Sequence, residues 1–131
     1  RPPRSTLFPY TTLFRSGKIA ALALAVPVPD GSVADITLQL KRAVSREEIN
    51  AAIYREVVGR LRGVVGYQDE PIVSKDVIQN PHSGIFDSLA TMSVPSGMMK
   101  CLVWFDTSWG YATRVLEVSR QLSSMALEQE S

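Results

Sequence analysis

Met98-Met99-Lys100-Cys101-Leu102-Val103-Trp104-Phe105 is an eight-residue run with one charge, bracketed by Pro95-Ser96-Gly97 before it and Asp106-Thr107-Ser108 after it. A short apolar run closed off by turn residues reads as a buried strand. Both of its faces carry apolar side chains, which places it at the centre of a sheet. The rest of the chain must therefore supply partner strands and covering helices.

Partners are legible on either side. Leu22, Leu24 and Val26 alternate with Ala21, Ala23 and Ala25, which suits a strand within the apolar run Ile19 to Val28. Pro27 and Pro29 end it, Asp30-Gly31-Ser32 is a turn signal, and Ile36, Leu38 and Leu40 then alternate with Asp35, Thr37 and Gln39. Together these predict an antiparallel hairpin. Ser45-Arg46-Glu47-Glu48 has the form of a capping box, and Ile49, Ala52, Ile53, Val57 and Leu61 follow on one helical face. Gly63 to Tyr67, Ser83 to Asp87 and Leu89 to Val94 read as short strands, and residues 68–82 as mostly irregular. Asp106-Thr107-Ser108 can cap a second helix whose Tyr111, Val115, Val118 and Leu122 form a stripe. The order β-β-α-β-β-β-β-α favours an α+β layer with a largely antiparallel sheet and two helices.

The 131 residues suit one globular domain, and a formal charge of +1 gives no reason to expect nucleic acid or a membrane surface as partner. One cysteine, Cys101, excludes an internal disulfide framework and a cysteine-only metal site. Arg1, Arg4 and Arg15 fall in residues 1–16 with no acid, so the balance from Gly17 onward is −2. Residues 1–16 carry three prolines and no apolar period. The stretch reads like a transit peptide, and with the apolar run that follows it mimics a secretory signal. It also resembles, over its whole length, the translation of a sequencing adaptor, so residues 1–16 are expected to be a non-native or disordered leader. The run Ile19 to Val28 is about half the roughly 20 residues a membrane-spanning helix needs.

Three stretches, in order, resemble one enzyme family. The first is Val26-Pro27-Val28-Pro29 leading into Ser32-Val33-Ala34-Asp35-Ile36-Thr37. The second is Gly66-Tyr67 through Pro71-Ile72-Val73-Ser74-Lys75-Asp76 to His82-Ser83-Gly84-Ile85-Phe86-Asp87. The third is Lys100 to Asp106 running into Trp109-Gly110-Tyr111 and Arg114-Val115. They are similar to the C-terminal catalytic domain of glyceraldehyde-3-phosphate dehydrogenase, over nearly all of residues 17–126. The resemblance implies that residues 17–131 are a partial catalytic domain of a phosphorylating, NAD- or NADP-dependent aldehyde dehydrogenase of glycolysis. It further implies a cytoplasmic location, tetramers of identical subunits, and a dinucleotide-binding domain outside this stretch. The family's cysteine nucleophile and histidine base lie upstream of the part that matches, so no catalytic residue, no metal and no cofactor are expected for this chain alone. Tyr111 matches the family tyrosine near the nicotinamide and is the one expected cofactor-binding residue.

The departures bear on chemistry. Ala25 stands where the family has an arginine that binds phosphate, removing a charge-assisted bond of roughly 1.5–3 kcal/mol. Thr107-Ser108 stand where the family has Asn-Glu, and threonine lacks the paired donor and acceptor of the asparagine amide that binds the nicotinamide carboxamide. Ala112-Thr113 replace a family Ser-Asn.

Other tempting residues have simpler readings. Cys101, inside an apolar strand, reads as a core thiol rather than a nucleophile. His82, the single histidine, matches a structural loop. Asp69, Glu70 and Asp76 lack the spacing of a calcium loop and read as a solvated turn. Lys41, Arg42 and Arg46 are offset by Glu47 and Glu48. Trp104 and Trp109 read as packing residues rather than a stacking platform. Gly63, Gly66, Gly84 and Gly110 form no phosphate-cradling pattern. Against the dehydrogenase expectation stands an alternative from another class, a stand-alone, non-catalytic interaction or dimerisation module derived from that domain. The losses at Ala25 and Thr107 motivate it.

Overall fold

The computed structural model describes residues 19–129. The expectation for residues 1–16 lies outside the described residues. The elements run β1 (Ser32–Gln39), α1 (Arg46–Val58), β2 (Val65–Gln68), a short 3-10 helix (Ser74–Val77), β3 (Gly84–Ser93), β4 (Met98–Phe105) and α2 (Thr107–Gln129). The strands form one sheet in the order β1-β4-β3-β2. β4 pairs antiparallel with β1 on one edge and with β3 on the other, while β2 joins β3 in parallel. This is an α+β fold with a mostly antiparallel sheet, and the apolar β4 is interior to it.

α1 begins where the sequence says it should. The Ser45 hydroxyl accepts from the Glu48 amide at 3.1 Å, and the Glu48 carboxylate accepts from the Ser45 amide at 2.9 Å. Two amides that the helix cannot satisfy internally are thereby bonded. At the far end the Gly59 amide donates to the Arg55 carbonyl at 3.1 Å. The helix lays Ile49 and Ile53 on the sheet, where Ile49, Phe86, Met99 and Cys101 make the buried core and Ile36, Leu40 and Val103 pack around it. Strand alternation explains the grouping. Met99, Cys101 and Val103 share the α1 side of β4, with Ile36 opposite Cys101 and Phe86 opposite Val103. Tyr67 closes the β2 edge of the core, its ring 5.7 Å from that of Phe86 and edge-on to Tyr54 at 5.2 Å. On the other face Lys100 Nζ meets Asp35 Oδ2 at 2.7 Å, a half-exposed pair of small energetic weight.

Three expectations need correction. The strand within Ile19 to Val28 does not form, so neither does the hairpin; the segment is exposed. Gly31, at φ +84°, turns the chain onto the backbone of Ser74, so closely that a Cβ there would collide with the Ser74 carbonyl. The turn thus docks on the 3-10 helix instead of folding back along β1. Second, Ser83 to Asp87 and Leu89 to Val94 are not separate strands but one, β3, with a register shift in which five steps from Asp87 to Met92 face two steps of β4. Asp87 holds the surplus, its Oδ1 accepting from the Leu89 and Ala90 amides at 3.1 Å each. From α1, Arg46 donates to the Ser88 and Leu89 carbonyls and Asn50 to that of Ser88. Third, α2, which runs to Gln129, does not cover the sheet with its stripe; the stripe is exposed, with Leu122 62% accessible.

Ser45→Ala should lower stability by about 1 kcal/mol through loss of the cap. Phe86→Ala, which empties a site only 2% exposed, should cost about 3–5 kcal/mol. Urea unfolding midpoints of the two variants check both values, and equal effects would contradict the placement of Phe86 in the core.

Candidate functional site

Strand direction gathers one end of the sheet. Ser32 lies opposite Phe105, Ile85 opposite Trp104, and Val65 beside Gly84. The point where β4 ends is therefore the point where β1, β2 and β3 begin. α2 starts there too, and the loop before β3, Gln79 to Ser83, crosses beside it.

Asp106 organises this end. It is 5% exposed, and its Oδ1 accepts from the Ser108 and Trp109 amides at 2.9 and 2.8 Å. That is an N-cap with a full negative charge at the positive end of a helix. Its Oδ2 accepts from the Gln79 amide at 2.8 Å. The Trp109 amide first, then those of Gln79 and Ser108, hold the carboxyl below the usual aspartate range despite its burial. Gly110 lets helix and loop meet, since a Cβ there would lie 2.7 Å from the His82 carbonyl. One turn on, the Arg114 guanidinium donates to the carbonyls of Gly63 at 3.3 Å and Pro81 at 3.4 Å, and pairs with Glu117 at 2.8 Å. Thr107 presents its hydroxyl 3.4 Å from that of Ser32. Tyr111 projects from the second turn of α2 and is 73% exposed.

The expected site residues separate into those this end collects and those it does not. Thr107, Ser108, Tyr111 and His82 all belong to the elements meeting here. His82 is tied by its Nδ1 to the Asn80 side chain at 2.8 Å. Cys101 sits in mid-strand among Ile49, Phe86 and Met99. Burial, and then the Asp35 charge, push its thiol up, the opposite of what a nucleophile needs. Ala25 is exposed on the irregular segment before β1. Asp76 bonds the Val73 amide at 2.8 Å, while Arg42 meets Glu48 at 3.5 Å. The Trp104 indole donates to Asp87 Oδ2 at 3.2 Å, and Trp109 is half exposed. Sequence reasoning missed Asp87 and Gln79. Asp87 carried a weak signal, an acid followed by serine between two apolar stretches; Gln79 carried none.

Tyr111 offers an open ring and Thr107 a hydroxyl, but Gly66, Gly84 and Gly110 are packed against protein, while Gly63, at φ +76°, faces open space. A Cβ on Gly84 would meet Val103 Cγ1 at 2.7 Å, and one on Gly66 would meet Ile85 at 3.4 Å. Gly66, Gly84 and Gly110 therefore leave no room for a phosphate against their backbone.

Two consequences can be measured. Because the folded carboxyl of Asp106 titrates below its unfolded value, its contribution is complete above about pH 3.9 and is lost as pH falls through the folded value. Acid unfolding followed by circular dichroism should show a steeper loss for the wild type than for Asp106→Asn. Gly110→Ala forces a methyl group onto the His82 carbonyl and should destabilise by about 1–3 kcal/mol; an unchanged urea midpoint would contradict the close approach.

A family model described as the C-terminal domain of glyceraldehyde 3-phosphate dehydrogenase matches residues 11–107, its first residues falling within the stretch read as a leader. The chain is 46% identical over 102 residues to the glyceraldehyde-3-phosphate dehydrogenase of Mycobacterium avium, a match that covers 78% of this chain and 30% of that protein. It is 43% identical over 108 residues to glyceraldehyde-3-phosphate dehydrogenase 2 of Bacillus subtilis, covering 82% and 32%. To the enzyme of Borreliella burgdorferi it is 43% identical over 108 residues, covering 81% and 32%. The chain thus spans about a third of the length of the curated relatives it matches. Aligned with a model of that domain over most of its residues, and folded as a mostly antiparallel sheet whose last strand runs straight into a helix, the chain belongs to the glyceraldehyde-3-phosphate dehydrogenase C-terminal domain family.

Proposed function

We propose that residues 17–131 form part of the catalytic domain of a phosphorylating glyceraldehyde-3-phosphate dehydrogenase, an oxidoreductase of glycolysis that oxidises an aldehyde to an acyl phosphate with NAD or NADP. The nicotinamide, when bound, takes the hydride. This chain's own part is to supply sheet, subunit contact and one wall of the site. Tyr111 would stand beside the nicotinamide ring, and Asp106 holds the helix start that carries it. The remaining apolar stripe of α2 packs toward a dinucleotide-binding domain, and identical subunits associate through the sheet. A cytoplasmic setting accords with this role, and no helix among the described residues is long and apolar enough to cross a membrane.

The observation that carries the reading is the meeting of Asp106, Thr107 and the exposed Tyr111 at the end of β4, in a chain 46% identical to a named dehydrogenase. By itself the chain should not turn over. Cys101 is a buried thiol with a raised pKa, and it is the chain's one cysteine. Purified residues 17–131, given NAD, glyceraldehyde 3-phosphate and phosphate, should produce no absorbance at the NADH band, and measurable reduction would overturn the reading.

A second reading, a stand-alone interaction or dimerisation module, draws on Ala25, Thr107 and the uncovered stripe of α2. The two part on mixing with the isolated dinucleotide-binding domain of a relative. The first expects a complex, seen as a faster sedimentation boundary, and the second expects none.

A further inference from the structure

Gln79 is the one residue other than glycine with positive φ among the described residues, at 60°. An L-residue persists there only where its surroundings over-determine it. What holds it is a carboxylate from a distant part of the chain. The Gln79 amide donates to Asp106 Oδ2 at 2.8 Å, while Oδ1 of the same group takes the Ser108 and Trp109 amides. Capping a helix needs only one of these oxygens. The other grips the loop that leads into β3.

The loop passes the constraint on. Asn80 Oδ1 accepts from the His82 amide at 3.0 Å, which sets the course of the chain through Pro81. The His82 carbonyl then faces Gly110, and the Pro81 carbonyl receives Arg114 at 3.4 Å. Loop and helix therefore meet at Asp106, Gly110 and Arg114, over two helical turns, on either side of Tyr111 in sequence.

We infer that Asp106 is a positioning residue whose two carboxylate oxygens bind the left-handed Gln79 and the first turn of α2 into one body, so that the loop Gln79 to His82 sets the direction in which α2 carries Tyr111. The consequence for a cofactor wall rests on the reading proposed above; the coupling itself does not.

The test is native-state hydrogen exchange on the full chain, followed amide by amide by NMR without cofactor. In the wild type the Gln79, Ser108 and Trp109 amides should open together, with protection factors agreeing within about threefold, as members of one cooperative unit do. Asp106→Asn leaves a single acceptor oxygen and cannot serve both elements. It should speed exchange at Gln79 by about tenfold or more, the equivalent of one lost charge-assisted bond, and shift the Gln79 amide-to-α-proton coupling away from its left-handed value. Exchange at Ser108 and Trp109 that accelerates while Gln79 is unchanged would reduce Asp106 to a simple helix cap and overturn the inference. Should Asp106→Asn not fold, the wild-type comparison decides alone, since a Gln79 amide exchanging like an open loop beside protected helix amides refutes the coupling. Either failure leaves the dehydrogenase reading in place, because no cofactor or turnover enters the measurement.

Discussion

The structure depends on both edges of β4 being paired. A strand as apolar as Met98–Phe105 can be buried only if its amides and carbonyls find partners on each side, because an unbonded backbone group away from water costs about as much as a lost hydrogen bond. β1 and β3 provide those partners in antiparallel register. Their arrival fixes which side chains share a face, and the shared face of Ile36, Phe86, Met99 and Cys101 is what α1 covers. Everything at the far end follows. With β4 ending where three other strands begin, Asp106 has no course but to leave the sheet among the loops that enter it.

Much of this could be read from residue order. The apolar run of β4, the alternation of β1 and the reciprocal cap of α1 are local patterns, each set by neighbours within a few residues. Where reading failed, the deciding contact was distant. Nothing near Leu22 reveals that Gly31 will dock on Ser74 and draw the preceding segment away from β1. Leu89 to Val94 looks like a fresh strand because the surplus of β3 is absorbed by the Asp87 carboxylate and by Arg46 and Asn50 of a helix some forty residues earlier. The stripe of α2 was legible as a stripe, but periodicity says only that a face is apolar and not what covers it.

The candidate site divides in the same way. Asp106 followed by Thr107 and Ser108 announces a helix start, and Tyr111 was identified through the motif it shares with a family. The grip of Asp106 on Gln79 was out of reach, since a glutamine in a polar loop carries no sign of the backbone conformation it will take. Cys101 shows the opposite case. Its residue type suggests chemistry, while its place in an apolar alternation already implied the buried, unreactive thiol that the structure contains.

The pairing of β1 has a consequence for how the molecule assembles. β3 and β4 are joined by the turn Pro95-Ser96-Gly97, so their first contacts close a loop of a few residues. The residues that β1 sets against β4 are 59 to 73 positions apart. Closing the longer loop costs more chain entropy and must wait for contacts that reward it. On loop length alone the β3–β4 hairpin is expected to pair before β1 joins β4. An edge strand that arrives late also leaves early, so fluctuations of the native state should begin at β1 and with them the loosening of Ser32 from Thr107.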